Sequence, residues 1–312
     1  MSTRAADEVL ALVTDLLALG RPPTRAELEH FCLATDIHER EQVSLRSHLE
    51  LRVRRGLDHR ARRFQAFGVG LFRTGTFALC QLLRDYHVEH EFMLRESVEL
   101  LSRWRAGEAS AEELRAFVRA RDEAGMLELD ASGCNAWLIP QLSEAFPDSC
   151  FVFTLREVYG WVDSMINFLA RRTQGMPSRV HEFLLVQCGL ESFVGRLAGR
   201  DDLERELDVI AAALAGAWAR HNAAILRELP PARSLVVHTD ELGRAGPALT
   251  RLLGIPVAGG LEPSQRNARP RTSLSLRTLE RSRLEQIFAG PCQALMADQF
   301  PGRGLDDFGA RP

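Results

Sequence analysis

A short glycine-bearing segment, Gly70 to Thr76, contains the residue types that bind phosphate-like anions. It reads Gly-Leu-Phe-Arg-Thr-Gly-Thr and lies between an apolar run typical of a buried strand and a helical pattern. A helix start offers backbone N–H groups and partial positive charge, and Gly70 and Gly75 allow the backbone to approach an anion closely. Arg73 adds a forked cation, while Thr74 and Thr76 add hydroxyl donors. The segment predicts an anion-binding loop, with a purely structural turn as the alternative.

The same segment departs from the Walker A loop of kinases and NTPases. Gly70 and Gly75 have the Walker spacing, but Thr76 and Phe77 follow where the pattern needs a Lys and then a hydroxyl residue. The 312 residues contain no Lys, so all 39 basic residues are Arg. The sequence therefore argues against a standard nucleoside triphosphatase and excludes a catalytic Lys.

A second candidate anion site follows the continuous apolar run Cys150 to Leu155, which is typical of a strand in a parallel sheet. Arg156 stands at the carboxyl end of that strand, where open α/β sheets bind ligands. Ser164 comes eight residues later, about two turns into a helix that we predict to begin near Val158. A guanidinium and a hydroxyl placed in this way could hold a second phosphate, although each residue alone is common at such a position.

The elements that must position these residues alternate between strand and helix over residues 63–312. This alternation predicts an α/β domain with a parallel sheet and helices on both faces. Residues 1–62 show helical patterning and a strongly charged stretch from Asp36 to Arg63. We expect a helical N-terminal extension whose charged face is solvated or forms a homodimer or partner surface. The predicted strands span residues 64–69, 87–93, 126–129, 150–155 and 235–238. A capping box is predicted at Ser110 to Glu113 and a long helix over about 180–197, whose apolar side chains are core or line an acceptor pocket.

The composition limits the possible partners. A hydrophobic content of 46% and a charged content of 26% are those of a globular protein, and the net charge of −3 gives no electrostatic case for nucleic-acid binding. The six Cys are scattered without paired spacing, which argues against a zinc site or a disulfide scaffold. We see no signal-type segment and no apolar run long enough to cross a bilayer. The sequence predicts a cytoplasmic protein without membrane or metal partners.

Three segments resemble motifs of one family, in that family's order. The loop is similar to the 5′-phosphosulfate loop of sulfotransferases, roughly G-x-x-R-[ST]-G-T. The segment FVFTLREVYGWVDSMINF resembles the family's 3′-phosphate motif, with Val158 in place of its usual Pro. A weaker match joins VVHTDEL and the later LLGI to the family's strand-turn "YEDL" segment and helix end. Over residues 64–255 the chain thus resembles a bacterial-type sulfotransferase that uses 3′-phosphoadenosine 5′-phosphosulfate (PAPS).

The resemblance implies a P-loop-containing α/β fold and transfer of the sulfuryl group of PAPS to a hydroxyl or amine. The acceptor would be a small molecule or a carbohydrate, the product would be adenosine 3′,5′-bisphosphate, and no metal would be needed. Arg73 would also stabilise the transferring group, because no Lys is present to do so. The implied cofactor-binding residues are Arg73, Thr74, Gly75, Thr76, Phe77, Arg156 and Ser164.

The proton acceptor has several candidates. Glu91 and His90 end the second predicted strand, and the family uses a Glu or a His in this region. We favour Glu91 as the base and His90 as an orienting residue, with Asp130 at the end of the third predicted strand as the next candidate. A late Arg or Lys often reaches the 3′-phosphate in this family. The candidates for that role here are Arg266, Arg269 and Arg271.

Two other functions stay open from the sequence. One is a P-loop phosphotransferase of unusual type, although no Lys and no convincing Mg²⁺-holding Asp accompany the loop. The other is a catalytically silent relative that keeps a nucleotide pocket. A sulfotransferase should bind adenosine 3′,5′-bisphosphate, whereas a phosphotransferase should bind ATP. Turnover of an acceptor distinguishes a sulfotransferase from a silent relative.

Overall fold

The computed structural model describes residues 62–172, 178–195, 200–257 and 275–308. Five parallel strands form one sheet in the order β2-β3-β1-β4-β5. This confirms the predicted α/β fold. The predicted N-terminal extension, residues 1–62, lies outside the described residues apart from Arg62. The strands are β1 Ala66–Val69, β2 Val88–His90, β3 Leu129–Ala131, β4 Cys150–Leu155 and β5 Ser234–His238.

Helices connect the strands and close the carboxyl-terminal part of the chain. Ser110 caps the helix that begins at Ala111 through the predicted capping box: its Oγ accepts from the Glu113 N–H at 3.1 Å, and the Glu113 carboxylate accepts from the Ser110 N–H at 2.8 Å. The described helices are α1 Thr76–Leu82, α2 Leu94–Arg105, α3 Ala111–Gly125, α4 Ile139–Ala145, α5 Val158–Arg172, α6 Ser178–Gln187, α7 Arg200–Arg205, α8 Leu207–Glu228, α9 Gly246–Leu253, α10 Arg281–Ala289 and α11 Gln293–Gln299.

Both faces of the sheet are buried, because alternate strand residues enter two separate hydrophobic clusters. Phe151 and Phe153 of β4 enter the larger cluster, which includes residues of α2, α5 and α8. Val152, between them, enters the smaller cluster with residues of α1 and α9. A strand buried on both faces needs a continuous apolar sequence, which explains why the segment CFVFTL could be predicted to be a strand.

The strand order creates a crevice between β1 and β4. From β1 the chain continues to β2, at one edge of the sheet, and from β4 it continues to β5, at the opposite edge. The connections after these two neighbouring strands therefore diverge at their carboxyl ends. Ligands of open α/β sheets bind at such a switch point. The loop with Arg73 and the segment that begins at Arg156 follow β1 and β4, so both lie at this crevice.

Two predicted element boundaries were wrong for local reasons. The strand predicted over 126–129 is observed at 129–131, because α3 continues to Gly125 and Met126 ends it in the left-handed conformation, with φ 51°. The long helix predicted over 180–197 ends at Gln187. Gly189 adopts φ 73° there, and the N–H of Leu190 turns back to the Leu185 carbonyl at 2.8 Å.

One described helix, α8, is long and apolar enough by length and composition to cross a membrane. The sequence expectation of no such stretch considered only uninterrupted apolar runs, whereas α8 includes polar residues such as Arg220 and Asn222. Its side chains Ile210, Leu214 and Trp218 are buried in the larger cluster. Core helices of water-soluble domains pack in the same way.

Candidate active site

The loop between β1 and α1 has three residues with positive φ angles, and its backbone lies close to neighbouring residues. Gly70, Arg73 and Gly75 have φ of 150°, 72° and 110°, and Arg73 is a rare non-glycine residue in the left-handed region. A Cβ at Gly70 would lie 2.5 Å from the Thr154 Oγ1, and one at Gly75 would lie 2.6 Å from the Leu242 Cδ1. The φ angles favour glycine at both positions, and at Gly70 the backbone carbonyl of Thr154, 2.6 Å from such a Cβ, also leaves no space for a side chain.

The two loop hydroxyls have protein partners. Thr74 is fully buried, and its hydroxyl donates to the Leu71 carbonyl at 2.7 Å and lies 2.9 Å from the Thr154 hydroxyl. The Thr76 hydroxyl lies 3.0 Å from the His90 Nε2. The sequence analysis expected both hydroxyls to serve as anion donors. In this arrangement they shape the loop, and a role of these residues in binding through the backbone stays a prediction.

Arg73 joins the loop to α5 across the crevice. Its Nε lies 3.3 Å from the Ser164 Oγ, and its guanidinium carbon lies 5.5 Å from the centre of the Phe168 ring. Ser164 and Phe168 are one helical turn apart, so they lie on the same face of α5. The structure thus brings together two predicted site residues that are 91 positions apart in the chain.

Arg156 lies at the start of the same face of α5. Its backbone carbonyl accepts from the Trp218 indole N–H at 2.9 Å. A Cβ at Gly160 would lie 2.1 Å from the Glu157 Oε1 and 3.2 Å from the Arg156 Nη2, so the missing side chain leaves room for the carboxylate of Glu157 and for the nearby guanidinium. Gly160 and Ser164 are four residues apart on one helix face, about 6 Å along the axis. The sequence analysis missed Gly160, although it stands midway between Arg156 and Ser164.

Glu157 caps the first turn of α5 beside Arg156. Both of its carboxylate oxygens accept from the Gly160 N–H, at 2.8 and 2.9 Å. Burial raises the pKa of Glu157, whereas the hydrogen bond from Gly160 and the charge of Arg156 act in the opposite direction. This acid follows the Arg in the family motif as well, and its contacts here give it a structural task in holding the helix start.

His90 ends β2 and packs against α1. Its ring makes an edge contact with the Phe77 ring, with the centres 5.5 Å apart, in addition to the contact with Thr76. Burial is the main cause that lowers the pKa of His90 to about 4; Glu89 opposes this effect, and Arg73 adds to it. At neutral pH the imidazole is therefore uncharged.

Glu91 follows β2 directly at the carboxyl edge of the sheet. It adopts φ 59°, and its N–H donates to the Ala131 carbonyl at 2.9 Å, which extends the pairing with β3 by one residue. Burial is the main cause that raises the pKa of Cys134 to about 12, and the negative charge of Glu91 is the second cause. Cys134 lies in the 3₁₀ turn Gly133–Trp137 after β3. The backbone of Glu91 therefore lies at the ends of both β2 and β3.

Asp130 lies within β3 and not at its end, because that strand begins later than predicted. It is buried, and its carboxylate pairs with the Arg121 guanidinium at 2.9 Å. Arg121 also donates to the Ser97 Oγ at 3.2 Å and to the Asn135 Oδ1. Burial raises the pKa of Asp130, and Arg121 lowers it. This buried ion pair gives Asp130 a structural role that competes with the role of base.

The remaining predictions concern residues that the site does not use or that lie elsewhere. Arg266, Arg269 and Arg271 lie outside the described residues. In α6, Phe183, Leu184 and Leu185 are buried in the larger cluster, as expected for core side chains. In the part of the chain that the structure describes, no group of three or more His, Cys, Asp or Glu is arranged to hold a metal ion.

Comparison with known proteins connects this geometry to a family. A family described as "Sulfotransferase domain" matches residues 65–268, well over half of the 312 residues. The chain belongs to the sulfotransferase domain family. No curated protein matches it.

Two solved sulfotransferase structures are similar to this one. The structure of a sulfotransferase from Alicyclobacillus acidocaldarius is 16% identical, with 80% of this chain and 99% of that chain covered and a TM-score of 0.43. The structure of sulfotransferase STF1 from Mycobacterium tuberculosis H37Rv is 18% identical, with 92% of each chain covered and a TM-score of 0.40.

The family match includes the crevice of this sulfotransferase. Residues 65–268 contain all five strands, the loop with Arg73, and α5 with Ser164. Helices α10 and α11 follow the matched segment. The sulfotransferase resemblance inferred from three short motifs is thus confirmed over a longer stretch.

Proposed function

We propose that this sulfotransferase transfers the sulfuryl group of PAPS to a hydroxyl or amine of a small-molecule or carbohydrate acceptor. The observation that carries the proposal is the contact between Arg73 and Ser164, which joins the loop after β1 to the helix after β4. Arg156 lies on the same face of α5. Two guanidinium groups therefore border one crevice at the switch point of the sheet, as a ligand with two separate anionic groups requires.

The donor would be a nucleotide with phosphates at both the 5′ and the 3′ positions, bound in this crevice. Arg73 and the peptide groups of residues 73–77 would hold the 5′ end, and Arg156 and Ser164 would hold the 3′-phosphate. When bound, PAPS would supply a sulfuryl group on a 5′-phosphate leaving group. Gly70 and Gly75 support this assignment, because they let the loop backbone lie against its neighbours without side chains in the way.

Arg73 would balance the negative charge that develops on the leaving phosphate. A fixed cation at that place stabilises the transition state more than the ground state. Ser164 and Phe168 hold the guanidinium from the α5 side, so Arg73 is positioned before any ligand arrives. The chain contains no Lys that could take over this task.

Glu91 would accept the proton of the acceptor group. Its backbone lies at the carboxyl edge of the sheet, where the Glu91 N–H donates to the Ala131 carbonyl, and a carboxylate is a common general base. His90 is a weaker candidate for the proton acceptor, because its Nε2 contacts Thr76 and its pKa is lowered to about 4. We assign His90 to the orientation of Thr76 and of the first turn of α1.

We extend the proposal to the whole chain in two respects. Residues 63–312 form the catalytic domain, which is supported by a family match that begins at residue 65. The protein acts in the cytoplasm, which is supported by a composition typical of globular proteins.

Transfer of radioactive sulfur from labelled PAPS tests the activity. The purified protein is incubated with labelled PAPS and a panel of phenols, alcohols, amines and sugars, and labelled products are separated. We expect a labelled product from at least one acceptor class and about 10²-fold slower formation of it with Arg73→Ala. Transfer of labelled phosphate from ATP to the same panel would favour a phosphotransferase instead. Binding of PAPS without any product would favour a silent relative.

A further inference from the structure

Three carbonyl groups of the loop after β1 point into the protein and have hydrogen-bond donors there. The Leu71 carbonyl accepts from the N–H and the hydroxyl of Thr74, at 3.2 and 2.7 Å. The Phe72 carbonyl accepts from the indole N–H of Trp161 at 2.8 Å. The Thr74 carbonyl accepts from the hydroxyl of Thr239 at 2.5 Å. Two of these donors, Trp161 and Thr239, come from outside the loop.

The direction of a carbonyl fixes the direction of the next N–H. In a trans peptide the C=O and the following N–H point to opposite sides of the chain. A Phe72 carbonyl held toward α5 therefore turns the Arg73 N–H away from α5. A Thr74 carbonyl held toward β5 likewise turns the Gly75 N–H away from β5. An anion site needs this arrangement, because a carbonyl oxygen that faced the ligand would repel it.

The loop backbone needs external support to keep this arrangement. Arg73, with φ 72°, and Gly75, with φ 110°, stand on either side of Thr74, and the left-handed conformation is unfavourable for a non-glycine residue such as Arg73. Such conformations persist only where the surroundings fix them. Trp161 is 2% exposed within α5. Thr239 follows β5 and is itself held by its N–H, which donates to the Leu155 carbonyl at 2.8 Å.

We propose that Trp161 and Thr239 are positioning residues for sulfuryl transfer. Together they form a carbonyl clamp: two side-chain donors that hold the Phe72 and Thr74 carbonyls so that the Arg73 and Gly75 N–H groups face the 5′ end of the donor nucleotide. This inference rests on the proposed function. Neither residue needs to touch the nucleotide, since both act through the loop. The sequence analysis found only a weaker family match in the segment with Thr239, and the clamp gives that segment a specific role.

The clamp makes a prediction that separates the two ends of the nucleotide. Thr239→Val keeps the side-chain shape and removes the hydroxyl. We expect it to weaken binding of adenosine 3′,5′-bisphosphate about tenfold, because the Gly75 N–H would no longer be held toward the charged 5′-phosphate and one hydrogen bond to it would be lost. Adenosine 3′-monophosphate lacks the 5′-phosphate, and its affinity should change by less than about twofold. Calorimetry gives the first affinity, and competition against a bound ligand gives the second.

Three further variants complete the experiment. Thr239→Ser keeps the hydroxyl and should bind the bisphosphate as the wild type does. Thr278→Val is the matched control, since the Thr278 hydroxyl also donates to a carbonyl, that of Ser275 at 2.8 Å, but in a different part of the chain. Trp161→Phe removes the second donor of the clamp and should show the same selectivity for the 5′ end. It also provides the test if Thr239→Val does not fold.

The outcomes distinguish this inference from the proposed function. Selective loss of bisphosphate affinity, restored in Thr239→Ser, supports the clamp. An equal loss for both ligands, or no loss in a folded variant, would overturn the clamp and leave the proposed function standing. A wild-type protein that does not bind the bisphosphate at all would overturn the proposed function and the clamp with it.

Discussion

The Nε of Arg73 lies 3.3 Å from the Oγ of Ser164, so the loop after β1 and the helix after β4 meet across the crevice. We expect Arg73→Ala to lower kcat by about 10²-fold, as the loss of one transition-state donor does in other enzymes. Steady-state kinetics with PAPS checks this. An unchanged kcat with a raised KM would mean that Arg73 only binds the donor.

Ser164→Ala should have a milder effect of the same kind. It removes the hydroxyl that holds the Arg73 Nε, and a smaller loss of kcat than in Arg73→Ala should follow. Ser234→Ala is the matched control, because the Ser234 hydroxyl donates to the Pro230 carbonyl at 2.7 Å at the opposite end of β5. If Ser164→Ala and Ser234→Ala behaved alike, the contact across the crevice would have no role in catalysis.

Arg156 should act on the 3′-phosphate. We expect Arg156→Ala to weaken adenosine 3′,5′-bisphosphate by roughly tenfold or more, since a charge-assisted contact is worth about 1.5–3 kcal/mol. Adenosine 5′-phosphosulfate has no 3′-phosphate and should bind nearly as before. Arg251→Ala, at an exposed position in the last turn of α9, controls for the loss of one positive charge. An equal loss of affinity for both ligands would refute the assignment.

Glu91 should be the residue that takes the acceptor's proton. Glu91→Gln keeps the size and removes the basicity, so kcat should fall by about 10²–10⁴-fold while bisphosphate binding is preserved. His90→Asn should cost less, because Asn can still form a hydrogen bond to Thr76. Both variants need the same acceptor and pH. Normal turnover by Glu91→Gln together with a dead His90→Asn would reverse the two roles.

His90 should also make the stability of the protein depend on pH. Its pKa in the folded state is lowered to about 4, below its usual value of 6.5, so between these pH values the unfolded chain binds more protons. Stability should therefore fall as the pH drops through this window, by about 2 kcal/mol from pH 7 to pH 5 for this residue alone. Urea unfolding of the wild type and of His90→Asn measures the difference. Identical pH dependence in both proteins would show that His90 is not held uncharged by burial.

The sequence predicted those parts of the site that depend on local pattern. The continuous apolar run of β4, the glycine spacing of the loop and the spacing from Arg156 to Ser164 all lie within short segments, and each was readable. The hydrogen-bond partners of the loop could not be predicted from the sequence, because they depend on tertiary packing. Thr239 is 165 residues from Thr74, and Trp161 is 89 residues from Phe72.

The errors have the same origin. Met126 was assigned to a strand, but it ends α3 in the left-handed conformation. The strand β3 therefore begins later than predicted, with Asp130 in its middle. The hydroxyls of Thr74 and Thr76 were expected to face a ligand because they lie in the loop. Their partners, Thr154 on β4 and His90 on β2, are brought near the loop only in the folded chain.

Calorimetric titration with adenosine 3′,5′-bisphosphate and, separately, with ATP and Mg²⁺ tests the central claim most directly. A PAPS-dependent sulfotransferase should bind one bisphosphate per chain, with a Kd in the range of about 1 μM to 1 mM that is usual for enzyme substrates. ATP should bind far more weakly, since it has no 3′-phosphate for Arg156 and Ser164. Tighter binding of ATP than of the bisphosphate, or no binding of the bisphosphate, would contradict the account.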